Sequence, residues 1–268
     1  MTVDLQFEGP IAHLTLNRPE KLNAMGPAFW DEFGGVVAQI DADPAVRVAI
    51  LSGNGRSFTA GLDLMEMMPQ LPTPGGPPDG AKQLALHRLI ERLQGVISSV
   101  ERCRVPVIAA VHGWCVGGGV DLITACDIRL AAADARFSVR ETRLAMVADI
   151  GTLQRLPAIV GPGIARELVY TGRDFDAAYA ERIGLVNRVL PDRDALLEAA
   201  RQLAGEIAAN PPLTVQGCKR VLNEATRAEI ERGLAYVAAF NTGHLMTQDL
   251  GVAVTAQLTR QTPEYAGR

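Results

Sequence analysis

This chain of 268 residues is poor in the residues that would signal a metal centre, an extracellular scaffold or a membrane anchor. It holds four cysteines and four histidines. Cys103, Cys115, Cys126 and Cys218 follow no CxxC or zinc spacing, and His13, His87, His112 and His244 show no ligand spacing, so no metal is expected. So few cysteines in so long a chain exclude a disulfide framework, and they read as reduced thiols. No apolar run approaches the ~20 residues of a membrane span. The opening MTVDLQFEGPIAHLTL begins with strand-like alternation and lacks the form of a signal peptide, and the closing TPEYAGR is not a peroxisomal address. Together these absences imply a cytoplasmic protein with no membrane partner. Positive charge is not in surplus either: the formal net charge is −4, which argues against nucleic acid held by bulk charge.

What is present is an ordinary globular composition, 48% hydrophobic and 21% charged, enough for a sizeable core. Up to about residue 190 the pattern alternates. Strands are expected at 3–7, 11–16, 46–52, 105–111, 128–132, 135–139 and 185–190, and helices at 27–40, 84–100, 120–125, 152–160, 164–170 and 177–183. The helix at 84–100 carries apolar residues at 86, 89, 90, 93, 96, 97 and 100, one face of a 3.6-residue period. LPTPGGPPDG, residues 71–80, reads as a loop, a spacer before that helix or a lid. After Pro191 only helices are expected, at 194–209, 214–224, 227–243 and 248–258. The chain therefore divides into an α/β core, 1–190, and a helical region, 191–268, whose apolar content suggests packing against a partner subunit.

Two connections are alike. SFTAGLDL follows the strand at 46–52, and GWCVGGGVDL follows the strand at 105–111; each ends in the start of a helix. Glycine backbone can approach a ligand closely, and the first N–H groups of a helix have no intrahelical partner. Ala60 and Gly118 are the expected donors to a single oxygen between the two loops. Three carboxylates stand near or downstream: Asp121, Glu141 and Asp149. Taken singly, each has a structural reading. Asp121 complements a helix dipole, Glu141 pairs with Arg140 or Arg143 on the surface, and Asp149 caps the helix from Thr152. Asp63 and Asp127 read as structural acids near helix ends, and His112 as a turn or core histidine.

NRPEKLNAM (17–25), SFTAGLDL (57–64), PVIAAVHGWCVGGGVDLITACDIRLAA (106–132) and GTLQRLP (151–157) together resemble the crotonase, or enoyl-CoA hydratase/isomerase, superfamily. The resemblance implies a crotonase-like right-handed spiral of ββα units with a C-terminal all-helical oligomerisation region, assembled as a homotrimer or hexamer. It implies an acyl-CoA thioester substrate and no separate cofactor, coenzyme A being part of the substrate. It also implies an oxyanion hole at Ala60 and Gly118, with Asp63, Leu64, Arg18, Lys21 and Lys219 as coenzyme A contacts. The trio Asp121, Glu141 and Asp149 resembles the Δ3,5-Δ2,4-dienoyl-CoA isomerase branch. That branch implies Glu141 as the base at C2, Asp149 as the acid at C6 and Asp121 as their support, in unsaturated fatty acid oxidation. The alternatives are a 2-enoyl-CoA hydratase using Asp121 and Glu141 on water, and a non-catalytic RNA-binding or scaffold member of the fold.

Overall fold

The computed structural model describes residues 1–71, 73, 79–259 and 261–268. Two sheets organise it. β1 (Val3–Glu8) and β2 (Ile11–Leu16) form an antiparallel hairpin, and β2 alternates inward Ala12, Leu14 and Leu16 with half-buried neighbours. β3 (Val48–Gly53) and β4 (Val107–Val111) are buried almost throughout, as apolar runs in the middle of a parallel sheet must be. With β6 (Ile128–Ala132) and β9 (Arg188–Leu190) they complete a six-stranded sheet of order β1-β2-β3-β4-β6-β9, parallel after the first pair. A smaller sheet joins β5 (Trp114–Val116), β7 (Arg136–Ser138) and β8 (Phe175–Asp176). The chain lays β4 in the first sheet and β5 in the second, then β6 in the first and β7 in the second. Each turn thus adds one strand to each sheet before a helix returns the chain, which is the expected spiral of ββα units.

Helices fill the turns. α1 (Pro27–Ala42) starts at proline and buries Phe29, Trp30, Phe33, Val37 and Ile40. α2 (Leu64–Met67) is a single turn capped by Asp63, and α3 (Gly80–Arg102) buries the apolar stripe described above. α4 (Gly118–Thr124), α5 (Thr152–Val160), α6 (Pro162–Thr171) and α7 (Ala177–Arg182) follow. Asp176 caps α7 by accepting the Tyr179 amide at 2.8 Å. The segment 71–80, expected as a loop or lid, lies largely outside the described residues.

The C-terminal half corrects two expectations. The boundary at residue 190 does not hold, because α8 (Arg193–Ala208) belongs to the core: Leu196, Ala200 and Ala204 pack with Val48, Ile50 and Ile108 of the large sheet. The two helices expected at 214–224 and 227–243 are one helix, α9 (Pro212–His244), since Ala225 and Thr226 contain neither glycine nor proline to break it. α9 lies against α3 and α5, and α10 (Gln248–Thr259) follows it. These helices pack back on their own core, yet α9 leaves Leu213, Val221, Leu222 and Tyr236 exposed.

Lys219 of α9 is also not where a coenzyme A contact would be. Its ammonium is buried and donates to Asp127 Oδ2 at 2.7 Å, Val105 O at 3.0 Å and Val100 O at 3.3 Å. All three protons are engaged, so none remains for a phosphate. Asp127 Oδ2 in turn accepts the Val107 amide at 2.7 Å, at the start of β4. Lys219→Met should lower the unfolding free energy in urea by about 3 kcal/mol, the low end of the cost of breaking a buried pair, because Asp127 is partly exposed. An unchanged midpoint would show that Asp127 finds another partner.

Candidate active site

The loops after β3 and β4 run side by side. Thr59 pairs with Cys115, and Met25 of the 17–25 loop pairs with Leu62. Gly61 permits the approach: its φ is +83°, and a Cβ there would meet Val116 O at 2.4 Å and Gly118 N at 3.4 Å. In the bridge to Met25, Gly61 O accepts the Met25 amide at 2.8 Å and Met25 O accepts the Asp63 amide at 3.1 Å. The Leu62 N–H is bypassed by that ladder and faces the other way. Gly118 opens α4, so its N–H has no intrahelical acceptor. Among the described residues neither amide meets a protein acceptor, and both residues line one cavity of about 540 Å³.

This corrects the expected donor pair. The Ala60 amide donates to Leu22 O at 2.9 Å, an acceptor presented by a residue with φ of +51°. It is therefore spent, and Leu62 takes its place beside Gly118. A signal for this exists in the sequence. Each free amide directly follows a glycine of positive φ, Gly61 at +83° and Gly117 at +54°. Matching the loops on those glycines, rather than on the first small residue, selects Leu62 and Gly118.

The three expected carboxyl groups do come together. Glu141 and Asp149 line the same cavity as the two amides, and fully buried Asp121 lies behind them on α4. Glu141 begins a 3-10 turn, Glu141–Leu144, after β7. A Cβ on Gly117 would sit 3.2 Å from its Oε1, so glycine lets this carboxyl close on the amide pair. The residue is half-buried, but its Oε2 is shut off from solvent without a partner among the described residues. Asp121 Oδ1 accepts the Thr152 amide at 2.5 Å, while its Oδ2 has no partner among the described residues. Asp149 Oδ2 accepts Asn241 Nδ2 from α9 at 2.6 Å, and its carbonyl accepts Gln94 Nε2 from α3 at 2.7 Å. Asn241 and Gln94 gave no signal in the sequence.

Burial dominates the titration of all three. It raises Asp121 to about 6, opposed by Thr152 and by the guanidinium of Arg155. It raises Glu141 to about 8, with the charge of Asp121 adding to the effect. It raises Asp149 to about 7, against the hydrogen bond from Asn241. Burial and mutual repulsion both disfavour ionising all three carboxyl groups together at neutral pH, so the cluster holds protons that it can give and take.

The expected coenzyme A contacts divide. Arg18 donates to Asp63 Oδ2 and Glu66 Oε2, each at 3.1 Å, and pairs with Glu66 Oε1 as well. Asp63 is consumed by that pair, by capping α2 and by giving its amide to Met25. The Arg18 guanidinium is thus engaged by acids, and the Asp63 backbone has both its amide and its carbonyl in use, the carbonyl by the Glu66 and Met67 amides. Lys21 is exposed, and Leu64 lies in the cavity wall. The remaining wall is apolar, with Leu86, Leu89, Ile90 and Leu93 from α3 and Met146 and Leu245 opposite. His112 is structural: its Nε2 lies 3.0 Å from Gly55 O.

With this geometry, comparison with known proteins becomes informative. The family described as enoyl-CoA hydratase/isomerase matches residues 6–267. The mitochondrial Δ(3,5)-Δ(2,4)-dienoyl-CoA isomerase of Dictyostelium discoideum is 45% identical over 95% of this chain and 87% of its own. The peroxisomal enzyme of that name from Arabidopsis thaliana is 43% identical over 97% and 94%. The crystal structure of an enoyl-CoA hydratase from Bacillus anthracis superposes with a TM-score of 0.75 at 32% identity, covering 100% of both chains. The cytoplasmic location expected above is overturned by these relatives, which are named mitochondrial and peroxisomal. The thiols misled for a physical reason. Cys103, Cys115 and Cys126 are buried, and burial raises each thiol further from its reactive thiolate form, so free thiols here carry no information about the compartment.

The raised carboxyl groups also bear on stability. Glu141 titrates near 8 in the folded chain and near 4.3 when unfolded. Its contribution is therefore intact below about pH 4 and is lost as pH rises through about 8. Glu141→Gln should raise the thermal midpoint at pH 9 and lose that advantage towards pH 4. A gain independent of pH would mean that Glu141 is not held in its neutral form.

Proposed function

The chain belongs to the enoyl-CoA hydratase/isomerase family, and from that premise we propose that it is an isomerase moving the double bonds of a 3,5-dienoyl-CoA to the 2,4 positions. The carrying observation is the third carboxyl group: Asp149 lines the cavity together with Glu141 and the two free amides. The identity of 43–45% to dienoyl-CoA isomerases supports the same reading. The thioester oxygen sits between the Leu62 and Gly118 amides. Losing the C2 proton creates a dienolate whose charge gathers on that oxygen, where fixed donors stabilise it with little reorganisation. Glu141 is the base at C2, because it closes on the Gly117–Gly118 turn beside the carbonyl. Asp149 gives a proton to C6, four carbons along, and the apolar wall holds the acyl chain between them. Asp121 supports the pair through its charge. Proton transfer alone suffices, so the proposal includes no metal or redox cofactor. Leu64 and Lys21 are the proposed coenzyme A contacts.

Burial raises both Glu141 and Asp149 towards neutrality, so either carboxyl group can hold the proton that the other releases.

The proposed partner is a second and third copy of this chain, with the exposed Leu213, Val221 and Leu222 of α9 at the contact. Light scattering should give three protomers or a multiple of three; a monomer at micromolar concentration would overturn this. For activity, the pure protein should convert a 3,5-dienoyl-CoA to a conjugated product followed in the ultraviolet. Asp149→Asn should reduce that rate by about a hundredfold or more while still binding the substrate. Efficient hydration of a 2-enoyl-CoA with no isomerisation would instead favour a hydratase using Asp121 and Glu141.

A further inference from the structure

Asn241 has no part in the chemistry above, yet it makes the one hydrogen bond to the Asp149 carboxyl group among the described residues. It is 1% exposed and sits on α9, remote in sequence from the catalytic loops. Its Nδ2 donates to Asp149 Oδ2 at 2.6 Å and to Val147 O at 2.9 Å. Its own Oδ1 is buried and has no partner among the described residues. Leaving a buried acceptor unpaired is unfavourable, but the reversed amide would be worse. It would set Oδ1 against a carbonyl and a carboxyl oxygen, neither of which has a proton to offer while Asp149 is ionised. Val147 therefore locks the amide so that a donor faces Asp149.

We propose that Asn241 is a positioning residue, whose locked amide commits Asp149 Oδ2 to accepting and so assigns the transferable proton of Asp149 to Oδ1. As that proton leaves for C6, negative charge grows on the carboxyl group and the bond from Asn241 strengthens. Relative to the reactant form that carries the proton on Asp149, the contact is then worth more in the transition state, which is the condition for a contact to raise the rate. The other polar and charged groups around Asp149 cannot perform this task. Asp121 on α4 and Glu141 on its 3-10 turn are acids that repel its charge, Arg155 of α5 is directed to Glu101 and Ser98, and Gln94 of α3 binds only its backbone.

This inference rests on Asp149 as the acid of the proposed isomerase, and the test separates the two ideas. Aspartate carrying 13C at its carboxyl carbon reports the titration midpoint of Asp149 in the ligand-free protein, with Asp149→Asn identifying the resonance. Asn241→Leu should move that midpoint up by about one pH unit. It should also lower kcat on the 3,5-dienoyl-CoA by about tenfold to a hundredfold, the worth of a hydrogen bond to a charged group, with KM little changed. Asn241→Ala removes the fixed donor without adding a charge, so it should raise the midpoint as well if the leucine variant does not fold. A folded variant with an unmoved midpoint overturns the role of Asn241 even if kcat falls, because a merely structural contact would behave that way. A wild-type protein that does not isomerise the substrate overturns the reading of function, while the carboxyl titration still decides whether Asn241 is the donor.

Discussion

The site depends on how closely two loops can lie. Parallel pairing of β3 with β4 brings the chain out at neighbouring points, and the Thr59–Cys115 bridge carries that pairing into the loops. Any side chain at residue 61 would collide with Val116 O, and one at residue 119 would lie 2.5 Å from Thr59 Cγ2. Glycine at both positions removes the obstacle. The unpaired Leu62 and Gly118 amides follow from the backbone alone: one is bypassed by a parallel bridge and the other is the first amide of a helix. The two donors are therefore fixed before any substrate arrives, as a low reorganisation cost requires.

Around that backbone feature the fold places groups that it would be more stable without. Three carboxyl groups are buried close together, and each leans towards its neutral form because burial outweighs its hydrogen bonds. A core built for stability would use apolar residues here. The family's thioester chemistry gives a reason for their presence: a carboxyl group titrating near neutrality can both take and return a proton at physiological pH. The same burial raises Glu141 and Asp149 together, which favours a proton held between them over a doubly ionised pair.

Much of this was legible in the sequence, and the failures have identifiable causes. The strands of the large sheet were readable because buried parallel strands are compact apolar runs, as in VAILSG and VIAAV. The three acids were readable because their loops match a family pattern. Ala60 was misread because composition says that a loop is small and close, but not which amides its own ladder consumes; that depends on the pairing of Met25 with Leu62, 37 residues away. α9 was divided because its polar face weakens the period near residue 225, although nothing there ends a helix. Lys219 and Arg18 look available because charge is visible in a sequence, whereas the carboxyl groups that hold them, Asp127 and Asp63, lie 92 and 45 residues away. Asn241 was invisible for the same reason, since an asparagine inside a helix has no spacing that marks what it faces.

The length of α9 then acquires a meaning beyond assembly. Near one end, Lys219 holds Asp127, which accepts the first amide of β4, the strand that leads to Gly118. Near the other, Asn241 holds Asp149. At 1.5 Å per residue these anchors are about 33 Å apart along a rod with no break. A hinge near residue 225 would let the acid drift relative to the strand that feeds the oxyanion loop. A continuous helix couples the two, and Gln94 adds a cross-brace by donating to both Asp149 O and Leu234 O. The C-terminal helices are thus part of the site's geometry in a single chain, because the carboxyl group proposed to serve C6 is held by one of them.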